Sequence, residues 1–196
     1  FNFDYFSLDG SSQLIAKTGY SRIGGFEIYL SRPELGSSLW ETILEAGRSE
    51  NIRPGSPNII DRVEAGLLSF GNEMTVENTP LECNMDKFLD INKEADYIGK
   101  KVLQRQIRYG IKRRIRGVIY NGPKLPTISR PLQVFDIDKR TIVGSLTSGA
   151  FSPHFKRNIG VGMIKYGYWD NDKKILVNIA DQEFREGLIK DLPLIQ

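Results

Sequence analysis

The chain has 196 residues, 40% hydrophobic and 26% charged, with a formal net charge of +3. That composition supports one domain or two small ones with packed cores, excludes wholesale disorder, and is too weakly basic to mark a nucleic-acid binder by itself. A single cysteine, Cys83, excludes an internal disulfide and fits a reducing, cytoplasmic compartment, and a single histidine, His154, excludes a multi-histidine metal site. No apolar run approaches a membrane span and no signal-peptide pattern opens the chain, so neither a membrane nor a metal is expected.

The chain starts at Phe1, inside the strand-like run FNFDYFSL, which suggests a fragment or a trimmed protein. Leu14–Lys17 reads as a short strand running into the turn Thr18-Gly19-Tyr20. Phe26–Leu30 is the next strand, entered through Gly24-Gly25. A helix follows, capped by Ser37 or Ser38, with Leu39, Trp40, Ile43, Leu44 and Ala46 as its apolar stripe and Gly47 near its end. After the loop Arg53–Pro57, a second helix is expected over residues 58–69, with Pro57 at its start, Ile59, Ile60, Val63, Leu67 and Leu68 buried, and Gly71-Asn72 ending it. Residues 73–85 form a long irregular segment of the kind that often carries function. Tyr97 to about Arg108 is a third helical stretch.

Beyond Tyr109-Gly110 the pattern changes to short β-like runs at 115–120, 132–135, 142–147, 159–164 and 175–179, separated by turn residues. This predicts a small barrel or sandwich. The chain is therefore α+β. Residues 1–110 form a mixed α/β part and residues 111–196 a small C-terminal β-barrel.

Cys83 and His154 show no local pattern of a nucleophilic dyad; a buried thiol and a turn histidine are the plainer readings. The cluster Arg105, Arg108, Lys112, Arg113, Arg114 and Arg116 suits either an anionic partner or a solvated face, and a nucleic-acid role is not expected of it. No glycine-rich phosphate loop is present. Three segments look specialised: TGYSRIGGFE (Thr18–Glu27), DRVEAGLLSFGNE (Asp61–Glu73) and LTSGAFSPHFKRNIG (Leu146–Gly160). Singly, each has a plain structural explanation. Glu27 pairs with an arginine, Arg62 and Glu64 form the outer face of a helix, and the last segment is a hairpin.

In order, the blocks TGYSRIGGFE, RVEAGLLSFGNE, TPLE, YIGKKVL and TSGAFSPHFKRNI resemble the glycine cleavage T-protein (aminomethyltransferase) family over most of the chain. The variants SRIGGFE and PLEC look more like its dimethylsulfoniopropionate demethylase branch. Phe70 and Glu73 stand where the family more often has Tyr and Asp. The resemblance implies a folate-binding domain half followed by a C-terminal barrel, and transfer of a methyl or aminomethyl group to tetrahydrofolate. It implies that Glu27 accepts hydrogen bonds from the pterin ring, that Tyr20 and Phe70 wall the pocket, and that Arg62 reaches the ligand or orients Glu27. It also implies a small one-carbon donor, or a lipoyl carrier protein if the role is the glycine cleavage one. Full-length members are roughly twice as long, so the chain is expected to be a C-terminal portion, inactive alone, with its catalytic groups elsewhere. A folate-binding module without transfer activity is the alternative.

Overall fold

The computed structural model describes residues 2–8, 10–20, 24–56 and 58–195. The expectations attached to Phe1, to Ser21-Arg22-Ile23 and to Pro57 lie outside the described residues. The chain forms two compact units, Phe1–Asn58 and Ile59–Gln196.

The first unit contains a three-stranded antiparallel sheet, β1 (Phe3–Leu8), β2 (Ser11–Ala16) and β3 (Glu27–Tyr29), in that order. Facing rows in this sheet are Phe3–Ala16–Glu27 and Asp4–Ile15–Ile28. Since side chains alternate across a strand, Glu27 stands on one face and Ile28 on the other. The strand expected at 14–17 starts earlier, at Ser11, and Phe26 precedes β3 rather than opening it. Helix α1 (Gly36–Ala46) follows a one-turn 3-10 segment at Pro33–Leu35. The expected serine cap is not formed: Leu35 is the N-cap residue, without a side-chain cap bond, and the Ser38 hydroxyl donates back to the Leu35 carbonyl at 3.1 Å. Of the expected stripe only Leu39 is buried, and Trp40 is half exposed.

The second unit begins with α2 (Ile59–Glu64), half the expected length. Gly66 ends it, not Gly71-Asn72. At φ +66° Gly66 takes the left-handed conformation, its N–H bonds to Val63 O (3.1 Å), and the Leu67 N–H bonds to Arg62 O (3.0 Å). This pair of bonds is a Schellman closure, which needs glycine at the left-handed position. The apolar periodicity continues through Leu67 and Leu68, but as an irregular segment. Helix α3 (Lys100–Tyr109) starts three residues later than expected and leaves through Gly110 at φ +83°.

Six strands then close a barrel in the order β4-β7-β6-β5-β8-β9: β4 (Arg113–Tyr120), β5 (Leu132–Phe135), β6 (Ile142–Ser152), β7 (Arg157–Lys165), β8 (Lys174–Ala180) and β9 (Glu183–Lys190). The expected barrel is present, with β6 and β7 longer than expected and with a strand, β9, that the apolar runs do not reveal. Its interior holds Val118, Tyr120, Val134, Val143, Leu146, Ile164, Ile175, Val177 and Ile189. The alternate residues of β4 face outward, and Ile115 packs there with Val63, Cys83, Ile159 and Val161. That outer cluster binds α2 and the segment around Cys83 to the barrel wall. Full closure leaves no unpaired edge, so so small a sheet needs no protective charges along its rim.

Candidate functional site

The turn before β3 is shaped by its glycines. Gly24 and Gly25 have φ of +86° and +145°, and a Cβ on Gly19 would lie 3.0 Å from the Gly24 carbonyl oxygen. Only glycine permits both the positive φ values and this approach of two backbones. Extending the Ala16–Glu27 register brings Thr18 opposite Gly25, on the same face as Glu27 and diagonal to it. The Thr18 hydroxyl donates to the Glu27 carboxylate. Glu27 is exposed on its sheet face, and nothing lies within 4 Å of a Cβ built on Gly24. An oriented, solvent-exposed carboxylate can accept two parallel N–H bonds from a flat ring. Tyr20, 43% exposed, follows Thr18 by two residues. An apolar concavity of about 640 Å³ occupies the other face of the sheet, lined by Phe6, Ile15, Phe26 and Ile28, and does not include Glu27.

Arg62 and Phe70 belong to the second unit. Arg62 and Glu64 are both buried, which overturns their reading as the outer face of a helix. Arg62 donates to Leu67 O at 2.9 Å and to both carboxylate oxygens of Glu73, at 2.9 and 3.4 Å. Glu73 also accepts the Ser69 N–H at 2.7 Å. The guanidinium thus braces the irregular stretch that replaces the rest of the expected helix. Phe70 and Met74 form a bridge at the tip of this brace, and the Phe70 ring is 69% exposed.

The remaining blocks are structural joints. In TPLE, Thr79 N–H bonds to the Glu82 carboxylate at 3.0 Å and Glu82 N–H to the Thr79 hydroxyl at 3.4 Å, a reciprocal capping box. Glu82 then accepts Arg113 Nε at 3.1 Å. In TSGAFSPHFKRNI, the buried Ser152 hydroxyl donates to Glu64, linking the barrel to α2. Buried Asn158 accepts Leu125 N–H at 3.0 Å and donates to Pro123 O at 3.0 Å, fixing the loop after β4. His154 sits in the β6–β7 turn with its ring edge-on to Phe155. Burial pushes the Cys83 thiol above its ordinary range, with the Glu82 carboxylate adding to the shift and Arg113 opposing it. That is the behaviour of a core thiol rather than a nucleophile.

Sequence reasoning did not single out Thr18 as the partner of Glu27 or Glu73 as the partner of Arg62. Thr18 was legible from the strand register, had the turn at Gly24-Gly25 been read as a hairpin-like closure.

Residues 1–93 match the GCVT N-terminal domain family, and residues 113–192 match the Glycine cleavage T-protein C-terminal barrel domain family. The first match runs past the break between the compact units, so α2 and the segment after it pack with the barrel while matching the N-terminal family. The chain belongs to the glycine cleavage T-protein family. It is 40% identical to the dimethylsulfoniopropionate demethylase DmdA of Ruegeria pomeroyi over 86% of this chain and 45% of that protein. It is 34% identical to an aminomethyltransferase of a Geobacillus species over 95% of this chain and 50% of that one. A crystal structure of glycine cleavage system aminomethyltransferase T from Bartonella henselae superimposes with a TM-score of 0.76 at 22% identity, covering 93% of this chain and 50% of that one. The chain spans about half the length of the curated relatives it matches. Among the described residues, no helix is long and apolar enough to cross a membrane.

Proposed function

We propose that these residues read tetrahydrofolate in a T-protein-type transferase that moves a methyl or aminomethyl unit onto it. The observation that carries this is the exposed Glu27 carboxylate, oriented by the Thr18 hydroxyl. The pterin's 2-amino-4-oxo edge presents adjacent N–H donors, and a fixed carboxylate is their matching acceptor. Tetrahydrofolate supplies the nucleophilic nitrogen; the protein's share is to hold the ring and exclude misaligned poses. Tyr20, two residues beyond Thr18, offers a ring surface in the first unit, and Phe70 offers an exposed ring in the second. Arg62 is a positioning residue, since its hydrogen bonds to Leu67 and Glu73 shape the stretch that carries Phe70.

We take the functional division to lie near residue 110, a reading supported by the gap between the two family matches, residues 1–93 and 113–192. We assign turnover to the length of chain found in the relatives and not to these 196 residues alone. Sulfonium demethylation is favoured over glycine cleavage, which would bring a lipoyl carrier protein as partner; identity to DmdA supports the former. A cytoplasmic setting fits this chemistry. A second reading, folate binding without transfer, is favoured by Phe70, which offers no hydroxyl for chemistry. The test is calorimetric titration of tetrahydrofolate into wild type and Glu27→Gln. A loss of roughly ten- to hundredfold in affinity is expected. Equal affinities in the two proteins would overturn the role of Glu27. Dimethylsulfoniopropionate against an aminomethylated carrier protein then identifies the donor.

A further inference from the structure

The basic cluster at residues 105–116 is only partly neutralised. Arg113, Arg114 and Arg116 pair with Glu82, Asp86 and Asp191. The Arg108 guanidinium lies 5.3 Å from the centre of the Tyr109 ring. Among the described residues, Arg105 and Lys112 have no acidic partner and their side chains make no hydrogen bond. Both line a cleft of about 540 Å³ together with Gln106, Tyr109, Tyr166 and Glu82.

The fold explains why these groups converge. Gly110, at φ +83°, turns the chain sharply from α3 into β4. The Tyr166 N–H bonds to Lys112 O at 2.9 Å and closes the end of the β4–β7 ladder there. This sets the end of β7 beside the last turn of α3. The Tyr166 ring is held edge-on by Trp169, with centroids 5.1 Å apart. Glu82, the one carboxylate in the lining, is already bonded to Arg113 and Thr79.

We propose that this cleft binds a small aromatic carboxylate. Arg105 and Lys112 take the carboxylate, and Tyr109 and Tyr166 flank the flat ring. The volume suits a ligand of this size. The site works without the Glu27 carboxylate and does not rest on the folate reading.

The experiment follows Trp169 fluorescence and amide chemical shifts during titration with 4-hydroxybenzoate, benzoate and 4-hydroxycyclohexanecarboxylate. Saturable binding of 4-hydroxybenzoate and of benzoate is expected, and weaker binding of the non-aromatic ring. Binding weakens as salt rises. Arg105→Gln with Lys112→Gln lowers affinity by roughly tenfold or more, whereas Lys174→Gln and Glu27→Gln leave it unchanged. Arg105 and Lys112 are exposed, so an unaltered thermal midpoint shows that the double variant is folded. Absence of saturation, equal loss with Lys174→Gln, or shifts confined to residues away from Tyr109 and Tyr166 would overturn the proposal. So would loss of tetrahydrofolate binding in the double variant, which would make the cleft part of the folate site.

Discussion

Arg62 and Glu73 meet as a two-pronged ion pair closed off from water: their side chains are 8% and 0% exposed. Each also bonds to backbone, Arg62 to Leu67 O and Glu73 to Ser69 N, so four hydrogen bonds fix one short irregular stretch. A buried pair contributes little compared with an apolar replacement, but half of one is very costly. Glu73→Ala is therefore expected to destabilise the second unit by about 3–5 kcal/mol in denaturant titration. Replacing both residues with methionine should restore much of that loss. If Glu73→Ala and the double variant prove equally unstable, packing and not the stranded charge controls this joint.

Thr18 contributes to orientation rather than to stability. Both it and Glu27 are at least partly open to solvent, so Thr18→Val should change the unfolding midpoint little. Its effect should appear in tetrahydrofolate titrations as a loss smaller than that of Glu27→Gln, with Thr18→Ser close to wild type. A loss in the serine variant equal to that in valine would mean that the hydroxyl is not what matters.

Tyr120 is buried in the barrel, and burial pushes its phenol up to about 12 against the small opposing pull of Arg185. The folded state therefore disfavours the phenolate more than the unfolded chain does. Its contribution to stability is intact below about pH 10 and is lost as pH rises from there through about 12. Tyr120→Phe should move the alkaline unfolding midpoint upward. Absorbance of tyrosinate that rises well before the barrel unfolds, and disappears in Tyr120→Phe, would contradict this.

Gly66 carries both a backbone and a packing constraint. A Cβ there would sit 3.0 Å from Leu192 Cβ, at a φ of +66°. Gly66→Ala should cost about 1–2 kcal/mol from the left-handed conformation, and more from the contact. Gly55, with nothing within 4 Å of its added Cβ, is the control, and alanine there should be close to neutral. Thermal melts of the two variants decide the point.

Much of the barrel was legible because its strands are short apolar runs cut by turn residues. β9 was not, because EFREGLIK has charges at Glu183, Arg185, Glu186 and Lys190 and a glycine where an inward side chain would stand. Its strand character comes from pairing with both β8 and β4 to close the ring, a tertiary fact. The length of α2 was misread because Leu67 and Leu68 continue the helical stripe beyond Gly66. A glycine inside such a stripe is often tolerated, and here the cover from Leu192 and Pro193 decides otherwise. In the candidate site, Glu27 stood out as a carboxylate in an apolar strand. The Arg62–Glu73 pair did not, because its members are brought together by a turn that no periodicity announces. Five shared blocks therefore mix two kinds of residue: solvent-facing ones such as Glu27, and joints such as Ser152 and Asn158.

The Leu194 and Ile195 N–H groups bond to Glu64 O at 2.8 and 3.1 Å, and Leu194 also covers Gly117 of the barrel wall. The first helix of the second unit and residues 194–195 are thus stitched to one another. Such a unit is suited to circular permutation: a linker joining residue 195 to residue 59 has only the length of α2 to span, because its Glu64 end is already bonded to Leu194 and Ile195. New ends opened at the exposed turn at Asp170–Lys173 would then test whether the order of elements along the chain matters to this barrel, or only their company.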